Sequence, residues 1–176
     1  TARNVLARGA EPTMLTPAIR AFINEPSPII VAKASFVSRV HRRSHAEYIG
    51  VKRYDERGEV IGETRFVGLF TSEAYTRAAD EVPLIRRKIE NVKAAAPQGS
   101  RFSAKQLDSV LKTYPRDELF QISETDLARI SSGVLRLLLR PRTHLFIRRD
   151  RFDRYVSALL YTPRDSYTSE LRTRAH

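Results

Sequence analysis

The sequence predicts an α+β fold that begins with an antiparallel sheet, continues through a helical connector and ends at the start of a second antiparallel sheet. Three observations lead to this prediction. Apolar residues alternate with a period of two before Val82, they recur with a period of 3.6 up to about residue 140, and a second pair of alternating segments follows. We therefore expect a sheet module at residues 1–78, a helical connector at 79–140 and an incomplete β-hairpin with a helix at 141–176.

The sheet module is predicted to contain three consecutive strands. The segments that show strand character are the one that starts with IIVA at residue 29, residues 46–54 and residues 60–70. Between the last two, DERG at residues 55–58 is a hairpin turn signal that ends in a glycine able to adopt positive φ. Consecutive antiparallel strands of this kind form a meander.

Two shorter elements are expected ahead of the meander. Residues 4–15 predict a short strand or hairpin, and Thr16 followed by Pro17 resembles a helix start, so that residues 18–23 would form one or two helical turns. After the meander we expect a polar bend at residues 75–80.

The connector is predicted from three apolar stripes at helical spacing. The first stripe is Val82, Ile85, Ile89 and Val92. The second follows the capping-box spacing of Ser103 and Gln106 and consists of Leu107, Val110 and Leu111. The third follows a cap at Ser123, ends before Pro141 and consists of Leu127, Ile130, Val134, Leu135 and Leu138.

The segment TYPRDELFQ at residues 113–121, which we call the junction segment, lies in the middle of these helices. Pro115 is expected to end one helix and to open the next, where its missing N–H is not needed. Acidic residues near a helix start complement the helix dipole. We therefore predict a structural role for Tyr114, Pro115, Arg116, Asp117, Glu118 and Phe120.

The last module is predicted to start with a second hairpin. Leu145 and Ile147 indicate one strand, residues 155–161 indicate the other, and the turn DRFD at 150–153 lies between them. Pro163 and Ser166 would then open a helix. Two strands are too few for an independently stable sheet, so the sequence suggests that the chain stops inside a domain.

The composition limits the possible functions. The chain has 176 residues, no cysteine and no apolar run of the length that crosses a bilayer, so we expect a cytoplasmic protein without disulfides or contact with a membrane. The net charge of +11 comes mainly from 25 Arg among the 31 basic residues. These are spread along the chain without a basic run of five, which speaks against nucleic-acid binding. A free-standing basic nucleic-acid-binding module nevertheless remains the alternative function.

Sequence motifs for chemistry are absent from the chain. Neither G-x-G-x-x-G nor G-x-x-x-x-G-K nor G-x-S-x-G occurs, so we expect no catalytic residue and no nucleotide cofactor in this segment. His41 and His45 have no further ligand at metal spacing, and neighbouring arginines would repel a cation, so no metal site is expected.

One arginine cluster is a candidate contact for an anionic effector such as an amino-acid carboxylate. It consists of Arg148, Arg149, Arg151 and Arg154. Guanidinium groups bind carboxylates through paired hydrogen bonds. The simpler interpretation, which the sequence favours, is a hairpin turn whose Arg and Asp side chains pair in solvent.

Several long motifs resemble one known family in order along nearly the whole chain. They are YIGVKRYD at residues 48–55, GLFTS at 68–72, AYTR at 74–77, PLIRRK at 83–88, the junction segment, FIRRDRFDR at 146–154 and YTPRD at 161–165. Together they resemble the N-terminal half of the large bacterial NAD-specific glutamate dehydrogenases. Two departures are Ala46 and Glu47, where the family usually has a bulkier apolar residue and Asp, and a shortened loop at residues 97–101.

The resemblance implies a segment of a long polypeptide that converts L-glutamate to 2-oxoglutarate and ammonia with NAD. In that family the catalytic and nucleotide-binding regions lie later in the chain, so this segment is expected to be non-catalytic. The N-terminal half is built from ACT-like and PAS-like modules with helical connectors that serve regulation and oligomer assembly. Residues 1–78 would thus be PAS-like or ACT-like, and 141–176 would start a further ACT-like unit. The implied partners are the rest of the polypeptide, further copies of it and an amino-acid effector.

Overall fold

The computed structural model describes residues 24–40, 43–97, 101–150, 155–170 and 173. The chain divides into two compact units, residues 1–71 and 72–176, and each is described by itself below. The strand or hairpin expected at residues 4–15 and the helical turns expected at 18–23 lie outside the described residues.

The first unit contains the predicted meander. Its three antiparallel strands, in the order β1-β2-β3, are β1 (Ile29–Val37), β2 (His45–Tyr54) and β3 (Val60–Gly68). The predicted turn is confirmed: Gly58 has a φ of 80°, and the Asp55 carboxylate accepts hydrogen bonds of 2.9 Å from the N–H groups of Arg57 and Glu59. The third strand ends at Gly68, two residues before the predicted end.

Charged side chains on this sheet are paired at close range. Gly50 leaves room for the Glu63 carboxylate, because a Cβ at Gly50 would lie 2.8 Å from Glu63 Oε2. Arg65 donates to Glu63 at 2.6 Å. Burial, and then the hydrogen bond with Glu63, raise the pKa of the Tyr48 hydroxyl. A side chain at Gly50 would therefore require the Glu63 carboxylate and the Tyr48 ring to move.

The second unit is helical in its first two thirds. Its elements are α1 (Ser72–Thr76), a 3₁₀ turn (Ala79–Glu81), α2 (Pro83–Ala95), α3 (Arg101–Lys112), α4 (Arg116–Gln121) and α5 (Glu124–Leu139). The bend expected at residues 75–80 is thus partly helical. Ser103 is not the N-cap of α3, because that helix already begins at Arg101. Ser123 caps α5 as predicted, and its Oγ accepts from the N–H of Asp126 at 3.0 Å.

The core of this unit is formed by the predicted stripes. Fully buried side chains come from α2, α3, α4 and α5, among them Ile85, Leu111, Leu119, Leu127 and Ile130. The end of the third stripe was predicted wrongly: Leu138 is 54% exposed, whereas Leu137 is buried. None of the helices in the described part of the chain is long and apolar enough to span a membrane.

A two-stranded antiparallel sheet follows the helices, as predicted. It pairs β4 (His144–Arg149) with β5 (Val156–Tyr161), and Leu145 stands opposite Leu160. Phe146 and Arg148 are buried, whereas Leu145 and Ile147, which indicated the strand, are exposed. After β5 there is a 3₁₀ turn (Arg164–Ser166), and the helix expected to open there is assigned only from Ser169 onward.

Candidate functional site

The short helix α4 lies within the junction segment, and local sequence explains why it forms. Pro115 occupies the N-cap position with φ −52° and ψ 123°, so it opens the helix as predicted. Its carbonyl accepts the first helical hydrogen bond, from the N–H of Leu119 at 2.9 Å. Asp117 and Glu118 lie in the first turn, where carboxylates complement the helix dipole.

The Glu118 carboxylate forms a buried ion pair with Arg148 of β4. Both residues are more than 90% buried. Arg148 Nε donates to Glu118 Oε1, and Arg148 Nη2 donates to Glu118 Oε2 at 3.0 Å, so the pair is bidentate. The remaining Nη1 group donates to the carbonyl of Arg149 at 2.9 Å. The hydrogen bonds to Glu118 raise the pKa of the Arg148 guanidinium, which fixes its charge.

The C-terminal end of α4 is held by a lysine from α2. Lys88 Nζ donates to the carbonyl oxygens of Leu119 at 2.8 Å, of Phe120 at 3.3 Å and of Ile122 at 2.7 Å. The last carbonyls of a helix have no partner within the helix and carry partial negative charge. An ammonium group at this position therefore both satisfies and neutralises the end of α4.

Two tyrosine hydroxyls contact opposite ends of α4. The Tyr75 hydroxyl, in α1, donates to Asp117 Oδ1 at 2.7 Å, and the Tyr155 hydroxyl, next to β5, donates to Gln121 Oε1. Gln121 Nε2 in turn donates to the carbonyl of Asp117 at 2.9 Å. Arg116 adds a contact at the first end of the helix, because its Nη2 donates to the carbonyl of Arg77 at 2.9 Å.

Aromatic packing accompanies these polar contacts. Phe146 of β4 lies over Gly133 of α5 so closely that a Cβ at Gly133 would be 2.6 Å from the ring. The same ring packs edge-on against Tyr161, with ring centroids 5.7 Å apart. Tyr114 is also buried, and this burial, followed by the charge of Glu118, raises the pKa of its hydroxyl. The hairpin is thus packed against both α4 and α5.

The candidate residues from the sequence are placed as follows. The junction residues Tyr114, Pro115, Arg116, Asp117, Glu118 and Phe120 all lie on or next to α4. Of the candidate effector contacts, Arg148 is turned toward Glu118 and Arg149 is exposed, whereas Arg151 and Arg154 lie outside the described residues. The structure therefore connects Arg148 with the junction segment, and the effector site stays a prediction.

Three partners of α4 were not singled out from the sequence. Lys88 belongs to a basic run that is typical of a solvated helix face. Tyr75 lies 42 positions from Asp117, and Tyr155 lies 34 positions from Gln121. One local signal does exist: the alternation of β4 places Arg148 on the same side as Phe146. An arginine in line with a buried aromatic residue indicates a buried acidic partner.

Among the described residues, no three of His, Asp or Glu are placed so that they could hold a metal ion. The hydrogen bonds and the ion pair described above join α4 to other elements of the unit, whereas the Tyr114 hydroxyl and Arg116 Nη1 are buried without a hydrogen-bond partner. The arrangement is therefore suited to holding chain segments together.

Comparison with known proteins identifies two matched regions. Residues 82–140 match the family described as glutamate dehydrogenase, helical motif 1, and residues 144–176 match glutamate dehydrogenase, ACT2 domain. The chain is 41% identical over 156 residues to an NAD-specific glutamate dehydrogenase of Halomonas elongata, covering 87% of this chain and 10% of that protein.

Two further relatives carry the same description. The protein of Pseudomonas aeruginosa is 36% identical over 153 residues, covering 86% of this chain and 9% of its own length. The protein of Mycobacterium tuberculosis is 34% identical over 144 residues, covering 82% of this chain and 9% of its own length. The chain thus spans about a tenth of the length of these curated relatives.

Proposed function

Because this chain belongs to the family of NAD-specific glutamate dehydrogenases, we propose that it is a non-catalytic regulatory and assembly segment of such an enzyme. The enzyme would oxidise L-glutamate with NAD and water to 2-oxoglutarate, ammonia and NADH. The catalytic residues and the NAD site would lie in a region outside this chain. The proposal is supported by the two matched regions, which are described as a helical motif and an ACT2 domain.

One observation carries the proposal: a buried ion pair joins the two matched regions. Glu118 belongs to the helical motif at residues 82–140, and Arg148 belongs to the ACT2 region at 144–176. A buried pair contributes little net stability compared with apolar packing, but it strongly favours one geometry, because any other arrangement leaves a buried charge unpaired. The segment would therefore set the position of the ACT2 hairpin on the helical motif.

The surface of the hairpin supports a role in assembly. Its outer face is mainly apolar, with Arg149 at one end beside Val156. The apolar residues of this face are Leu145, Ile147, Val156, Ala158 and Leu160. Exposed apolar patches on a protein surface often mark contacts with other protein. We propose that this face is covered in the assembled enzyme, which would be a homo-oligomer.

The finer parts of the proposal follow from the family. Residues 1–78 would be a PAS-like or ACT-like module, 79–140 the helical connector and 141–176 part of an ACT-like unit. The enzyme would work in amino-acid catabolism in the cytoplasm. The three-stranded meander and the hairpin are compatible with these assignments.

The catalytic part of the proposal is tested by assaying the isolated segment for glutamate-dependent NADH formation. We expect no turnover, and clear turnover would contradict the proposal. The regulatory part is tested in the complete enzyme with the double variant Glu118→Leu/Arg148→Met, which replaces the ion pair by apolar side chains. Its subunit assembly or its response to amino acids should change, while the glutamate KM without effectors should not. A folded double variant that assembles and responds as the wild type does would show that the ion pair does not carry the regulatory and assembly role.

The effector is proposed to be an amino acid whose carboxylate binds Arg149, together with Arg151 and Arg154. A ligand at 100 times its Kd should add about 2.7 kcal/mol to the free energy of unfolding. Thermal unfolding in the presence of each amino acid measures this, and Arg149→Gln should reduce the shift. If no amino acid raises the melting temperature, the effector site is wrong.

A further inference from the structure

The polar contacts of α4 reach four separate parts of the second unit. They extend to α1 through Tyr75, to α2 through Lys88, to β4 through Arg148 and to the start of β5 through Tyr155. An isolated helix of six residues is not stable in water. The position of α4 is therefore decided by these partners.

Three hydrogen bonds follow α4 from the hairpin to α1, and the last two meet at different groups of Asp117. Tyr155 donates to the side-chain oxygen of Gln121, the nitrogen of the same side chain donates to the carbonyl of Asp117, and the Asp117 carboxylate accepts from Tyr75. The bonds from Tyr155 and Tyr75 both end on residues of α4, so a shift of this helix changes both of them. The two tyrosine hydroxyls thus meet opposite ends of one short helix.

Two further contacts make α4 a rigid element between these ends. Lys88 Nζ holds its last carbonyls, and Glu118 is held by Arg148 on the buried side. Leu119 between them is fully buried. Because packed interiors do not deform continuously, a displacement at one end of α4 has to move the whole helix.

We propose that α4 couples the hairpin to α1, so that a change in the position of β4 and β5 is transmitted through α4 to residues 72–77. This inference rests on the proposed regulatory function and adds the direction in which a signal from the ACT2 region would travel. Tyr75 and Tyr155 are positioning residues in this arrangement. They act on α4 and are not expected to contact a substrate.

The coupling is tested by hydrogen–deuterium exchange of the complete chain with Tyr155→Phe, Tyr75→Phe and the double variant. Tyr155→Phe should accelerate exchange at residues 73–77 by roughly two- to tenfold, the range that corresponds to a typical hydrogen bond. Tyr75→Phe should likewise accelerate exchange in β4. The acceleration of exchange in the double variant should be smaller than the product of the accelerations in the two single variants.

Tyr167→Phe is the matched control, because Tyr167 is 58% exposed. It should change exchange at neither end of α4. The proposal is overturned if each Tyr→Phe effect stays at its own end and the two effects multiply. It is also overturned if exchange rises equally everywhere, including α3, since this would be a general loss of stability.

The failure of the coupling can be separated from the failure of the proposed function. In the complete enzyme, the same variants are assayed for NADH formation with and without amino acids. Coupled exchange with an unchanged response to amino acids would leave the coupling in place and refute the regulatory function. Uncoupled exchange with a changed response would refute only the coupling.

Discussion

Replacing Arg148 by Met should strongly destabilise the second unit. Arg148 and Glu118 are both more than 90% buried, and the substitution leaves the Glu118 carboxylate without its bidentate partner. Removal of one member of a buried ion pair typically costs about 3–5 kcal/mol. In a domain of roughly 100 residues each kcal/mol lowers the melting temperature by about 4–8 °C, so a fall of more than 10 °C is expected.

The size of the effect depends on the unpaired charge, which a second substitution removes. In the double variant Glu118→Leu/Arg148→Met two apolar side chains of similar length replace the pair. Such replacements are often neutral or stabilising. We therefore expect the free energy of unfolding of the double variant to differ from that of the wild type by no more than about 1–2 kcal/mol. This difference is far smaller than the sum of the effects of the two single substitutions.

Urea unfolding followed by circular dichroism measures these differences. Arg149→Met serves as the control, because Arg149 is the exposed neighbour on the same strand and should change stability by no more than about 0.5 kcal/mol. A cost below about 1 kcal/mol for Arg148→Met would refute the reasoning, because the pair would then not be desolvated. A double variant as unstable as the single one would equally refute it.

Three further substitutions test other contacts. Gly133→Ala should lower the free energy of unfolding by about 1–3 kcal/mol through overpacking against Phe146, although alanine favours the helix by about 1 kcal/mol. Adding Phe146→Leu should restore part of this stability. Equal urea midpoints for the wild type and G133A would contradict the close packing. Lys88→Met should lower the free energy of unfolding by about 1–3 kcal/mol, because it leaves carbonyls at the end of α4 without a donor. Amide exchange at residues 119–122 should accelerate. Unchanged exchange there would argue against a role of Lys88 in holding the end of α4. The hydrogen bond from Lys93 holds the pKa of Asp108 below its ordinary value. This carboxylate therefore stabilises the fold above about pH 4, and its contribution is lost as the pH falls through the lowered pKa. Asp108→Asn should reduce the loss of stability at acid pH, and an unaltered dependence of stability on acid pH would show that the pair contributes nothing.

The strands and helices with a clear period were predictable from sequence. The meander, the hairpin and the stripe of Ile85, Ile89 and Val92 were all located, because local periodicity determines which residues share a face. The end of α5 was not predictable in the same way. Residues 134–139 are almost all apolar, so the period does not indicate which side is buried, and packing decides between Leu137 and Leu138.

Only the junction segment of the candidate site was predictable from the sequence, and the residues that contact it were not. The junction segment stands out because of Pro115 and its acidic neighbours, which are local signals. The partners of α4 are distant in the chain. No local signal relates Lys88 to the end of α4, and the alternation that places Arg148 beside Phe146 does not identify Glu118 as its partner. An arginine within an Arg-rich hairpin is expected to be exposed to solvent, unless the face of the strand on which it lies is known to be buried.

The apolar outer face of the hairpin has a consequence for the behaviour of the chain in solution. The net charge of +11 keeps separate copies apart at low ionic strength. Added salt screens this repulsion within a Debye length of about 10 Å at 0.1 M, while the attraction between faces that carry Leu145, Ile147 and Leu160 is unaffected or strengthened. The purified segment should therefore stay dispersed in dilute buffer and associate as salt is raised, the opposite of a protein whose contacts depend on surface ion pairs.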